Sequence, residues 1–184
     1  MSTIATDLAA IAKGDRAAFD RLYRAQRRPL LAYALGLLAG DRAAAEDAID
    51  EAFIDIWLQA GRFANSGSAQ GWIRRIVRNK AVDWLRKHGS NRFAEWSSAN
   101  DDRADESPDP EEQLVAASTR DWLRTALGKL SLEQREAVML CYFEERPLAE
   151  IAAIQTCPEG TIKTRLFHAR LNLRGLLAEP AMAS

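Results

Sequence analysis

The chain has 184 residues, 47% of them hydrophobic, with a formal net charge of −1 and a pI near 6.2. That suffices for one medium core or two small ones. No apolar run is long enough to span a bilayer and no basic-then-apolar leader opens the chain, so a cytoplasmic protein without direct membrane insertion is expected. Cys141 and Cys157 lack a partner at metal-ligand or redox spacing, only two His are present, and no nucleophile sits beside a base. Small buried thiols, no metal, no cofactor and no enzyme are the expectation.

The near-neutral total hides an uneven distribution. Residues 1–90 hold fourteen Lys and Arg against ten Asp and Glu, residues 91–117 two against eight, and the remainder nine against eight. Two mildly basic blocks therefore flank an acidic spacer, a pattern that a global pI conceals.

In chain order, Asp15 caps a helix running to Gly40, which Pro29 should kink or divide. Asp41 caps the next, stopped by Gly61, and Ser68 caps a third that ends near Gly89. The spacer Ser90–Pro110, rich in Ser, Asp and Asn and ending in two prolines, has no helical or alternating period and reads as a mobile linker. Beyond it, Asp109, Pro110 and Glu112 form a capping box for a helix to about Lys129. Ser131 and Gln134 form another for "LEQREAVMLCYF". Nothing alternates as a strand would. The expected fold is all-α: a domain over 1–89, a flexible acidic linker over 90–110, and a second domain over 111–184 containing a helix-turn-helix.

That last motif rests on "PLAEIAAI", Pro147–Ile154, with Leu148, Ile151 and Ala152 turned inward, and on the helix following Cys157 and Pro158. In the latter, Ile162, Leu166, Ala169, Leu173 and Leu176 recur at spacings of four and three as one apolar stripe. Lys163, Thr164, Phe167, His168, Arg170 and Arg174 occupy the other face. A helix docked in a major groove presents its N-terminal residues to base edges, which suits Lys163 and Thr164, whereas Arg170 and Arg174 suit phosphates. Between the two helices, Thr156 sits where such turns often hold Gly. A β-branched residue resists positive φ, so the turn is expected to avoid the left-handed conformation.

The first block holds two helices of opposite character. In one, Glu46, Asp47, Asp50, Glu51 and Asp55 lie over Ile49, Phe53, Ile54 and Trp57, suited to a basic protein surface and repelled by DNA. In the next, Arg74, Arg75, Arg78, Lys80, Arg86 and Lys87 stand against the single acid Asp83. Trp72, Ile73, Ile76, Val77, Ala81 and Trp84 form its buried side, and Arg75, Asn79, Val82 and Arg86 an outward ridge.

"AEDAIDEAFIDIWLQAGRF" followed by "GWIRRIVRNKAVDWLRK" resembles conserved region 2 of the extracytoplasmic-function (group 4) sigma factors of the sigma-70 superfamily. "LSLEQREAVMLCYFEERPLAEIAAIQTCPEGTIKTRLFHARLNL" resembles their region 4. The resemblance covers both blocks in the family's order and spacing, about three-quarters of the chain, and omits only the tails and the spacer. The resemblance implies a non-enzymatic promoter-specificity subunit of bacterial RNA polymerase. It also implies residue roles. Asp47, Asp50, Glu51 and Phe53 would meet the clamp of the largest polymerase subunit. Phe63 to Gln70, with Arg75, Asn79, Lys80 and Arg86, would hold the downstream promoter element, one base flipped out. Lys163, Thr164, Phe167, His168, Arg170 and Arg174 would read the upstream element. An anti-sigma factor is a further implied partner. The family usually has Gln where Asp50 stands, Arg where His168 stands, and Ser or Thr where Pro147 stands.

Two readings from other classes compete. A stand-alone helix-turn-helix regulator would bind duplex tightly without polymerase and has no use for the acidic helix. A small helical enzyme finds no constellation of residues to support it.

Overall fold

The computed structural model describes residues 3–63, 67–88 and 125–178, and every regular element among them is helical. The first part comprises α1 (Thr3–Ile11), α2 (Arg16–Leu37), α3 (Arg42–Gln59), a 3-10 turn at Ala60–Arg62, and α4 (Ala69–His88). The second part comprises α5 (Leu132–Val138), a π turn at Met139–Phe143, α6 (Leu148–Gln155) and α7 (Glu159–Ala178). The acidic linker and the capping box at Asp109 lie outside the described residues; of the helix expected to reach Lys129, only a helical turn at 125–128 is described.

Four helix starts carry the caps expected of them. Asp15 accepts from the amides of Ala17 and Ala18, Asp41 from Ala44, and Ser68 from Gly71. Ser131 and Gln134 form the reciprocal box, satisfying two otherwise orphaned donors. Pro29 does not divide α2, which runs through it. Both Pro29 and Ala25, whose carbonyl loses its i+4 donor, are exposed, so water can take the missing bond.

Three local features depart from expectation. The short α1 is a helix in its own right, pinned by buried Leu8 and Ile11 and by Asp7, which accepts from Arg21 at 2.9 Å. After Val138 the chain widens into a π turn, where a regular helix was expected to continue to Phe143. Thr156, expected to avoid the left-handed region, sits squarely in it at φ 51°, ψ 47°. There the amide of Cys157 bonds the Ala152 carbonyl at 3.0 Å, closing α6 as a left-handed cap does. α6 and α7 are both committed to the core on either side, and their packing overrides the local preference of one residue.

α3 packs on α2 and α4, with α1 against α2; α5 and α6 pack on α7. The two parts do not stand apart as separate bundles. α6 lies against α4 and α5 against α2, and the buried apolar side chains from Leu8 to Ala169 form one cluster. At the closest approach, a Cβ on Gly36 would fall 2.0 Å from Met139 Cε, so a larger residue there would have to displace the end of the Met139 side chain.

Two substitutions test the local energetics by urea unfolding. Asp15→Ala, which orphans two amides, should cost about 1 kcal/mol. Thr156→Gly should stabilise by about 0.5–1 kcal/mol, the left-handed penalty minus the entropy glycine loses on folding.

Candidate nucleic-acid and protein interfaces

α7 separates its faces cleanly. Ile162, Leu166 and Ala169 are buried against α5 and α6, and Leu173 packs at the edge of the same cluster. Lys163, Thr164, Phe167, His168, Arg170 and Arg174 are all exposed. The Phe167 and His168 rings meet edge to face at 5.5 Å, and the Thr164 hydroxyl donates to the Gly160 carbonyl, leaving its oxygen free to accept. The stripe's remaining cation, Arg165, turns back. It donates to the Gln155 side-chain oxygen and to Cys157 Sγ at 3.3 Å, tying the end of α6 and the turn to the second helix. Sequence reading gave Arg165 no role. Its only distinguishing signal is its place at the margin of the apolar stripe.

On α3, Asp47, Asp50 and Glu51 are exposed, as expected, but Phe53 is not on their face. It is 3% exposed, its ring 4.7 Å from Tyr23 and edge-on to Phe19 at 6.2 Å, so it belongs to the core and cannot touch a partner. Ile54, expected to be covered, is 60% exposed, and Leu58 is 71% exposed. Ile54 lies three, four and seven residues beyond Glu51, Asp50 and Asp47, and Leu58 four beyond Ile54, so they continue the acidic strip as an apolar end. Ile54 and Leu58 are the exposed apolar residues of this face that a reading by charge alone overlooks.

α4 departs furthest from its expected role. Lys80, which the resemblance assigns to the downstream element, reaches α3 instead, with Nζ 2.9 Å from Asp55 and 3.5 Å from Glu51. The Asp55 hydrogen bond, ahead of the Coulomb attraction of both acids, holds its pKa above the ordinary lysine value. Arg75 donates to the Ala153 carbonyl of α6 at 2.6 Å. Asn79 and Arg86 remain on the exposed ridge, Arg86 in a loose 3.4 Å pair with Asp83 that contributes little in water. Phe63 is half-buried, its ring 5.8 Å from Trp72, next to the undescribed residues 64–66. Trp72 and Trp84 pack against the core, as expected of them.

Two polar clusters cross from the first part to the second. In one, the Glu136 carboxylate, 0% exposed, accepts from the Tyr33 hydroxyl, from Arg78 Nε at 2.7 Å and from Gln155 Nε2 at 2.9 Å. Burial raises the Glu136 carboxyl above its ordinary range despite these donors, and burial beside Glu136 pushes the Tyr33 phenol well up, keeping it a donor. In the other, Arg74, 4% exposed, meets Glu144 at 2.6 Å with its guanidinium over the Tyr33 ring. Arg146 links Glu144 and Glu150 to the Gln70 side chain of α4 at 2.8 Å. Among the described residues, no group of His, Cys, Asp and Glu could hold a metal ion, and no helix is long and apolar enough to cross a membrane.

Residues 22–91 match the family described as Sigma-70 region 2, and residues 120–173 the one described as Sigma-70, region 4. The ECF RNA polymerase sigma factor SigE of Mycolicibacterium smegmatis is 34% identical over 91% of this chain and 66% of its own length. SigM of Mycobacterium tuberculosis, also an ECF RNA polymerase sigma factor, is 32% identical over 92% and 82%. A longer Xanthomonas campestris relative, "Probable RNA polymerase sigma factor RfaY", is 30% identical; the chain spans only 42% of it. Among solved structures, the Bartonella quintana sigma factor RpoE, in complex with the anti-sigma factor NepR, superposes with a TM-score of 0.65. That match is at 26% identity over 87% of this chain and 96% of that one. CnrH, in complex with the cytosolic domain of CnrY, shares the fold at a TM-score of 0.69 and 22% identity, over 97% and 99%.

The division of α3 into a core face and an exposed face is measurable by denaturant unfolding. Phe53→Ala should cost about 3–5 kcal/mol as a large-to-small core substitution. Leu58→Ala should stay within about 0.5 kcal/mol of wild type, as an exposed position does.

Proposed function

Because this chain belongs to the extracytoplasmic-function sigma factors of the sigma-70 family, we propose that it is a promoter-specificity subunit of RNA polymerase. It binds the core enzyme in the cytoplasm, directs it to particular promoters and helps open the DNA, with no chemistry of its own. The observation that carries this reading is the presence in one chain of two exposed helix faces with incompatible partners. The acidic and apolar face of α3 suits a basic protein clamp, and the basic face of α7 suits duplex DNA. A regulator that acts alone needs the second and not the first.

In this reading, Asp47, Asp50 and Glu51 provide the charge that steers α3 onto the clamp of the largest polymerase subunit, and Ile54 and Leu58 provide the apolar area that holds it there. α7 enters the major groove at the upstream element, with Lys163, Thr164, Phe167 and His168 toward base edges and Arg170 and Arg174 toward phosphate. Arg165 sets the angle of α7 by fastening it to α6. Phe63, Asn79 and Arg86 serve the downstream element, where unstacking a base costs a few kcal/mol and must be offset by stacking and amide hydrogen bonds. By analogy with the Bartonella relative, an anti-sigma factor is its regulatory partner. The domain limits that go with these roles are 1–89 and 111–184.

The deciding experiment adds the purified chain to core RNA polymerase and maps transcript starts across a genome. Selection of discrete starts is expected; specific nanomolar duplex binding without polymerase, and no start selection with it, would favour the stand-alone regulator. Two finer outcomes follow from the surfaces. Reversing Asp47 and Glu51 to Lys should weaken binding to core, most of all at low salt, as measured by pull-down. On α7, Lys163→Ala should lose about 1–3 kcal/mol of discrimination at one base position. Arg174→Ala should instead weaken all sequences alike and flatten the salt dependence of log affinity by roughly one unit. Selection from a randomised upstream element checks both, and His168→Arg should shift the base preferred there.

A further inference from the structure

The buried face of α6 ends in an amide. Leu148, Ile151 and Ala152 turn toward the core, and at the next turn, where the stripe calls for another apolar side chain, stands Gln155, 4% exposed. Its Nε2 donates to the Glu136 carboxylate at 2.9 Å and to the Glu133 carbonyl at 3.0 Å, and its Oε1 accepts from Arg165 Nη1 of α7. No second orientation serves. Turned over, Oε1 would face a carboxylate and a carbonyl, and Nε2 would face a guanidinium. Glu136 and the Glu133 carbonyl therefore fix which way the amide points, and the amide fixes where Arg165 lies. The same Arg165 nitrogen reaches Cys157 Sγ at 3.3 Å, on the far side of the left-handed Thr156.

The remaining contacts of α7 lack that directionality. Ile162, Leu166 and Ala169 hold the helix on α5 and α6 by apolar contact, which fixes its distance better than its rotation. Further along, Asn172 donates to the Gln134 side chain at 3.3 Å, an exposed bond in competition with water. The Arg165 tie is buried at its Gln155 end and falls among the base-facing residues. Lys163, Thr164, Phe167 and His168 lie within three positions of Arg165, whereas Arg170 and Arg174 lie five and nine beyond it. Rotating a helix by about 10° moves a side-chain tip about 5–6 Å from its axis by about 1 Å, enough to break a hydrogen bond to a base edge. A long arginine following a phosphate absorbs the same shift. We propose that Gln155 determines specificity for the upstream element without touching DNA: it is a positioning residue that, through Arg165, fixes the rotation of α7 in the groove. This deepens, and rests on, the reading of α7 as the upstream-element helix. An apolar side chain at 155 would cost less to bury, so what the amide contributes is register rather than stability.

The test uses holoenzyme assembled from core RNA polymerase and the full-length chain, selecting from a randomised upstream element. Wild type is compared with Gln155→Leu, Arg165→Met and the double variant, and circular dichroism with urea unfolding verifies that each is folded. In Gln155→Leu the preference for the best base should fall roughly tenfold at positions read by the start of α7. The salt dependence of binding should not change, because Arg170 and Arg174 keep their phosphates. Arg165→Met should have the same effect, and the double variant should be no worse than either single one, as residues in one relay behave. Ile151→Val removes a methyl from the same buried face outside the relay, so it should lower the urea midpoint and leave the selected motif intact. Wild-type discrimination in Gln155→Leu overturns the proposal. So does a double variant whose fold-loss is the product of the single losses, because Gln155 would then not act through Arg165. If wild type itself selects no motif, the reading of α7 fails instead, and the crystal structure of Gln155→Leu decides the positioning. The positioning stands if α7 has turned on α5 and α6, and falls if α7 superposes on its wild-type pose.

Discussion

The Glu136 carboxylate, fully buried and shared by Tyr33 of α2, Arg78 of α4 and Gln155 of α6, joins four helices that no single local motif would bring together. A charge at that depth is tolerated only because three donors converge on it, and each donor is oriented by the helix that carries it. Gln155 is in turn fastened by Arg165, so the pitch of α7 against α6 traces back to the same carboxylate. The position of the reading helix and the closure of the two parts thus share one set of hydrogen bonds. The apolar cluster beneath supplies the bulk of the stability; the polar network supplies the register.

That arrangement explains why the basic residues of this protein divide into two populations. Those on α7 other than Arg165 face outward, because the apolar stripe of Ile162, Leu166 and Ala169 uses up the other side of the helix. Four of those on α4 are engaged within the protein, Lys80 by α3 and Arg74, Arg75 and Arg78 by the second part, while Arg86 and Lys87 stay exposed. A near-zero net charge permits this, since nearly every cation has an anion available. Similar basic content on two helices has produced one open surface and one closed one.

The α3 face illustrates a different constraint. Acidic residues alone steer a partner over distance but hold it weakly in physiological salt, where exposed pairs are screened. Exposing Ile54 and Leu58 in line with Asp47 and Glu51 puts steering and holding on one strip. Phe53, which the resemblance assigns to the clamp, instead packs edge-on to Phe19 and tilted against Tyr23, fixing α3 on α2. Lys80 then stiffens the end of that strip nearest α4 by pairing with Asp55.

Caps, periods and the split between acidic and basic helices are properties of neighbours within a few residues, and the sequence by itself determined them. Asp15, Asp41, Ser68 and Ser131 start helices wherever they are placed, and the spacing of Ile162, Leu166 and Ala169 marks a buried face before any partner is known. The family and the outward residues of α7 were legible for the same reason. Only the tertiary structure decided which charges are free. Whether Arg78 meets water, phosphate or Glu136 depends on a residue 58 positions away, and Tyr33 reaches that same carboxylate from 103 positions away. A helical period tells which side of a helix a residue is on, but not what lies opposite. It therefore set Arg75 on an outward ridge that α6 meets, left Arg165 without a role, and gave no sign that Lys80 and Phe53, assigned to partners by the resemblance, are engaged within the protein. The left-handed turn at Thr156 belongs with them, since packing on both sides of one residue outweighed that residue's own preference.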